Sequence, residues 1–137
     1  GLVDDMNRAL MPGLMAGMSP QSMGYDKDYQ KTNEGRQLIE RLRTKFVEED
    51  LPKYLGFLQD KLGKDGEGFL AGDKVSIADC YAVPNLRRFS RGFMDYVPKD
   101  CLDGFPKIVA YLERFCALPQ IAGRYSDGIG GVKKDEE

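Results

Sequence analysis

Apolar residues recur at three- and four-residue steps along most of the chain, and no segment alternates as a half-buried strand would. The first such run is Leu2 to Met18, where Met6, Leu10, Met11, Leu14, Met15 and Met18 fall at helical spacing. Asp4 and Asp5 stand in its first turn, where carboxylates favour the helix dipole. Pro12 and Gly13 predict a bend or break, because an interior proline removes a backbone hydrogen bond and crowds the preceding turn. A polar connection punctuated by Gly and Pro spans residues 17–33. A long helix is then expected from Glu34 to Leu62. Leu38, Leu42, Phe46, Leu51, Leu55, Leu58 and Leu62 make its apolar stripe, and Arg36, Arg41, Arg43, Lys45 and Lys53 fall on the polar side. Pro52 predicts a kink near Glu48 to Asp50. Gly63 suits a helix C-terminus, and residues 63–68 read as a flexible turn.

The sharpest local signal is Ser76-Ile77-Ala78-Asp79, an N-cap followed three residues on by an acid. A capping role for Ser76 and Asp79 outweighs an active-site pair. Val75 and Cys80 are spaced for the apolar staple that accompanies such a cap. The helix should run from Ile77 to about Arg91, with Cys80, Val83, Leu86 and Ser90 on one line and a bend at Pro84. Residues 93–104 read as irregular or as one short helix. Pro106 suits the first turn of a compact helix that buries Ile108, Val109, Leu112, Phe115 and Cys116. Leu118-Pro119 stops it, and a last short helix is expected from Gln120 to Tyr125. The pattern predicts an all-α fold, a bundle of five to six helices in one domain over residues 1–126, with a flexible Gly-rich and then charged tail over 127–137.

Composition narrows the chemistry. The 137 residues include 20 basic and 22 acidic side chains, so a general attraction to nucleic acid or anionic lipid is not expected. Histidine is absent, which excludes a Ser-His-Asp triad, a Cys-His pair and a histidine metal site. Cys80, Cys101 and Cys116 are widely spaced and form no C-x-x-C, so neither a disulfide framework nor a zinc site is expected. They read as reduced, mostly buried thiols of a cytoplasmic protein, with Cys101, in a loop-like stretch, the most reactive. No apolar run reaches the ~18 residues of a membrane span. The acidic start does not read as a signal or transit peptide, and Gly1 suggests a processed or excised piece. Arg87, Arg88 and Arg91 read as a solvated helix face, and no tyrosine has a neighbouring base that would mark it as a thiol activator. Met11, Met15 and Met18 share one helical face. That face suits the soft wall of a ligand pocket, an ordinary core or a partner contact.

The run Phe69-Leu70-Ala71-Gly72-Asp73-Lys74-Val75-Ser76-Ile77-Ala78-Asp79 resembles the element that opens the central helix of the glutathione transferase C-terminal domain. Leu51-Pro52-Lys53-Tyr54-Leu55 resembles the bent second helix of that domain, and Leu2-Val3-Asp4-Asp5 its opening. Cys101-Leu102-Asp103-Gly104-Phe105-Pro106 resembles the pi- and sigma-type "C-L-x-x-F-P" run, and Leu118-Pro119-Gln120-Ile121 the start of the final helices. The likeness covers about Leu2 to Tyr125. It implies the substrate-binding half of such an enzyme, with a homodimer interface, while a thioredoxin-like domain absent from this chain binds glutathione and activates its thiol. It places Met11, Met15 and Met18 beside an apolar electrophile, with Ile129 and Gly130 closing the pocket from the tail. No catalytic residue, metal or resident cofactor is expected in this chain, which alone should be inactive. Two pi-type features have no counterpart here: the acidic residue of the first helix falls near Pro12, and the aromatic at its end falls around Met18 to Ser22. Helical domains of this kind also serve as non-catalytic modules in larger assemblies, which is the alternative implied function.

Overall fold

A computed structural model describes residues 1–63 and 66–124. Among them the regular elements are all helical, and two compact units meet in sequence between Tyr54 and Leu55. The expected final tail at 127–137 and its Ile129 and Gly130 lie outside the described residues.

The first unit is built on α1 (Leu2–Met18) and α2 (Asn33–Lys45). The expected break at Pro12 does not occur, and α1 runs through it unbroken. Pro12 is exposed while Gly13 is buried, so the ring sits on the solvent side and the glycine faces its neighbour. The connection after α1 folds into two 3₁₀ turns, Pro20–Met23 and Tyr29–Lys31. Tyr25 stacks flat on Tyr29 at 4.3 Å between ring centroids, and Tyr29 packs with Leu42 against Ala16, Leu38 and Ile39. Thr32 caps α2, its hydroxyl accepting from the Gly35 N–H at 3.0 Å. Gly35 has a steric reason, since a Cβ there would run into the Tyr29 carbonyl.

The expected long helix is interrupted where the pattern placed its kink. A π-helical turn, Phe46–Asp50, separates α2 from α3 (Leu51–Asp60). Pro52 accounts for it, because its missing N–H and its ring cannot continue the ordinary ladder, and a wider turn absorbs the mismatch. The apolar stripe survives the change of pitch. Phe46, Leu51, Leu55, Leu58 and Leu62 are all buried.

In the second unit α4 (Ile77–Arg87) continues as a single 3₁₀ turn over Arg88–Ser90, so the α-helix stops before the expected Arg91. Pro84 is accommodated on its exposed side. Ala82, Val83, Leu86, Phe89 and Ser90 are buried, whereas Cys80, placed on the buried line by the spacing, is exposed. Residues 91–105 are irregular, with Gly92 and Tyr96 in the left-handed region at φ 64° and 65°. α5 (Pro106–Cys116) buries Ile108, Tyr111, Leu112, Phe115 and Cys116 and starts on a proline, as expected. The final helix is replaced over its described part by irregular turns, in which Leu118 O accepts from Ile121 and Ala122 and Ile121 O from Arg124. Tyr125 lies outside the described residues.

Candidate functional site

The methionine face is built by the opposite side of its helix. Val3, Met6, Leu10, Gly13 and Ala16 are the buried residues of α1. Met15 lies two residues from Gly13 and from Gly17, about 200° away around the axis. The last two turns of α1 therefore press glycines inward and hold Met11, Met15 and Met18 outward. Met11 is 45% exposed, Met18 is 69% exposed and Met15 is half-buried. The first two turns carry Asp4 and Arg8 on the exposed side, so the apolar character of the face is confined to the C-terminal half. A Met-rich surface is deformable, and it accommodates apolar ligands of varied shape.

What holds those two turns is a residue assigned by the pattern to the solvent. Arg43 of α2 is only 7% exposed, and its Nε–H donates to the Gly13 carbonyl at 2.8 Å. The aliphatic stem passes over Gly13, where a Cβ would stand 3.0 Å from Arg43 Cγ, and the guanidinium lies against Gly17. α1 has no basic residue in its own last turn. Arg43 supplies that positive charge from the neighbouring helix, near the carbonyl-rich end of the dipole. Spacing alone could not find this arrangement. The signal was the Gly13-x-x-x-Gly17 pair, a flat stripe that admits a thick side chain.

The second unit is organised around Asp79, which is fully buried. The Ser76–Asp79 capping box is present. Oδ2 accepts from the Ser76 N–H at 2.8 Å and from its hydroxyl at 3.2 Å. Oδ1 accepts from the Leu70 N–H at 3.0 Å and from the Tyr111 hydroxyl at 2.7 Å. One carboxylate thus joins the start of α4, the preceding loop and α5. Burial, and then the bond to Asp79, push the Tyr111 phenol well above the ordinary tyrosine range. That hydroxyl holds its proton and is committed to Asp79. Arg114 Nη2 donates to the carbonyls of Gly66 and Gly68, and its guanidinium lies over the Phe69 ring, fixing the same loop from the next turn of α5. The bonds of Ser76 and Asp79 are those of a helix cap, joined by donors from Leu70 and Tyr111.

The thiols and the basic cluster need correction. Cys116 is buried, Cys101 is half-buried and Cys80 is exposed, so the three are not mostly buried. Burial, with Asp100 adding to it, pushes the Cys101 thiol up to about 11, which opposes the expected reactivity. Arg88 is not simply solvated. Its guanidinium lies 5.4 Å from the Phe89 ring and 5.5 Å from the Phe93 ring. Two open depressions in the second unit, of about 430 and 530 Å³, lie along the 61–73 loop and along α5, and neither includes a methionine. Among the described residues no group of Cys, Asp and Glu is placed to hold a metal ion, and no helix is long and apolar enough to cross a membrane.

Among the described residues the regular elements are helices, with a capping box at the head of α4 and an outward apolar face on α1, the features of an all-α domain. The model of the glutathione S-transferase C-terminal domain matches residues 23–125, and the chain belongs to that family. It is similar to a glutathione S-transferase of Plasmodium yoelii yoelii, 33% identical over 86 residues, which make up 61% of this chain and 38% of the relative. The chain thus spans well under half the length of that relative. No solved structure matches it.

Proposed function

We propose that this chain is the electrophile-binding and dimerising half of a cytoplasmic glutathione transferase, working with a thioredoxin-like domain that binds glutathione. The supporting observation is the outward methionine face on the last two turns of α1 in a member of this family. The reaction is attack of glutathione thiolate on an electrophilic carbon. A C–S bond forms, and either a leaving group departs with the displaced electron pair or an activated alkene takes up a proton. The other domain stabilises the thiolate. This chain's share is to seat the apolar part of the acceptor on Met11, Met15 and Met18 and to exclude water from it. The tyrosine buried beside Asp79 takes no part, because its proton is held there.

The test is to titrate this chain with 8-anilinonaphthalene-1-sulfonate, and then to measure conjugation of an aryl halide with and without a supplied thioredoxin-like domain. Binding weakened by Met15→Ala, with conjugation only when the second domain is present, is the expected result. Probe affinity indifferent to Met15→Ala refutes the pocket assignment, and conjugation by this chain alone refutes the division of labour. A non-catalytic assembly role is the second reading. It is favoured by the outer side of α4, where Ile77 is 87% exposed and Tyr81 49% exposed beside Pro84.

A further inference from the structure

We infer that Arg43 is a positioning residue for the methionine face, which extends the proposed function and rests on it. Arg43 meets α1 at Gly13 and Gly17, on the side away from Met15. These contacts reach a ligand on the methionine face through the helix. Three features make the contact directional rather than a mere filler. The Nε–H bond to the Gly13 carbonyl fixes the side chain as far as its planar head. The guanidinium is conjugated through Nε and planar, so no free torsion remains beyond that atom, and its Nη2 end is lodged where a Gly17 Cβ would stand. The last turn of α1 closes on Ser19, whose N–H donates to the Met15 carbonyl, so the tilt of this turn is transmitted to the backbone of Met15 itself. A helix held at two points one turn apart cannot rotate or slide without breaking the buried bond. Met15 and Met18 are thereby presented at a fixed height above α2. An aliphatic residue at 43 would fill the space but would release that constraint.

The experiment uses the whole chain with ¹³C-methyl-labelled methionines, well below the melting temperature of each variant. Arg43→Met is compared with Val3→Ala, a cavity variant at the far end of α1. Arg43→Met should shift the Met15 and Met18 methyl resonances and weaken binding of 8-anilinonaphthalene-1-sulfonate by roughly 2- to 30-fold, the range of couplings carried through packed contacts. Val3→Ala should do neither. Should Arg43→Met fail to fold, Arg43→Lys and Gly17→Ala make the same comparison, because each disturbs the same seat while keeping a cation. Resonances and affinity that move no more than in Val3→Ala overturn the inference. If Met15→Ala leaves probe affinity unchanged, the pocket assignment fails, and the methyl shifts alone then decide whether Arg43 positions this face.

Discussion

Replacing Asp79 by alanine removes the acceptor for three elements at once. The Tyr111 hydroxyl is then stranded in the interior, because Tyr111 is itself fully buried, and an unmet buried donor costs about 2 kcal/mol. The Leu70 and Ser76 donors sit in half-buried surroundings, where water can reach them, so each loses nearer 0.5–1 kcal/mol. Loss of the reciprocal cap is already counted in the Ser76 bonds. Against this, a carboxylate no longer has to be desolvated, which returns part of the loss. The net expectation is about 3 kcal/mol, or a fall in melting temperature of roughly 10 °C for a chain of this length. With no tryptophan in the sequence, urea unfolding is best followed by far-ultraviolet circular dichroism. Tyr111→Phe removes one bond and should cost about 1.5 kcal/mol. Combined with Asp79→Ala, it should recover up to about 2 kcal/mol, since it removes the stranded donor; the coupling in the cycle is then about 1.5–3.5 kcal/mol. An Asp79→Ala chain within 1 kcal/mol of the parent, or strictly additive double-variant losses, would refute the view that one carboxylate ties α4, α5 and the 66–72 loop together.

Three glycine substitutions should differ in sign. Gly56→Ala meets open space in α3 and should stabilise by up to about 1 kcal/mol through helix propensity, whereas Gly35→Ala drives a Cβ into the Tyr29 carbonyl and should destabilise markedly. Gly17→Ala has the same propensity gain but displaces the Arg43 guanidinium, so a net loss of about 1 kcal/mol is expected; thermal melts of all three decide, and a stabilised Gly17→Ala contradicts the seat described for Arg43. Alkylation with iodoacetamide at pH 8, read by mass spectrometry, should modify exposed Cys80 first, with Cys101 and Cys116 lagging. Stability should be level through neutral pH, where no histidine titrates, and should fall in alkali. Cys101 and Tyr111 both have raised values in the folded chain, so their contributions are complete below the unfolded values of about 8.5 and 10; that of Cys101 is lost as pH rises toward about 11, and that of Tyr111 at still higher pH. Cys101→Ala should flatten the start of that decline in pH-dependent melts.

The parts of the fold legible in the sequence are those whose cause is local. The S-x-x-D spacing of Ser76 and Asp79, proline at the head of α5 and the apolar stripe from Leu38 to Leu62 each act within a few turns, and each is found in place. The kink before Pro52 was legible for the same reason, since the proline acts on the turn just before it. Pro12 misled because the consequence of an interior proline depends on which side of the helix it occupies. On the exposed side of α1 the lost hydrogen bond is left near water, and the helix continues. Arg43 misled more deeply. Charge predicts a solvent face only when no partner offers a carbonyl and a glycine groove thirty residues away, and periodicity contains no such information. The same blindness affects Asp79. Its cap was readable, yet Tyr111 and Leu70, which make it a hub rather than a cap, are brought to it by tertiary packing.

Arg43 bears directly on how the methionine face is read. A stripe of Met11, Met15 and Met18 on an isolated helix would be as compatible with a core as with a binding wall. The alternatives separate once the inward side of α1 is seen to be occupied already, by Gly13 and Ala16 against α2 and by the Arg43 side chain lying over Gly13 and Gly17. A helix whose core side is filled and whose other side is still apolar over two turns offers that second side to an apolar occupant, and under the proposed function that occupant is the acceptor molecule. The occupant must also tolerate thioethers, which adapt to shape and offer almost no hydrogen bonds. An apolar acceptor molecule meets both conditions. A protein partner that relied on polar specificity at this face does not.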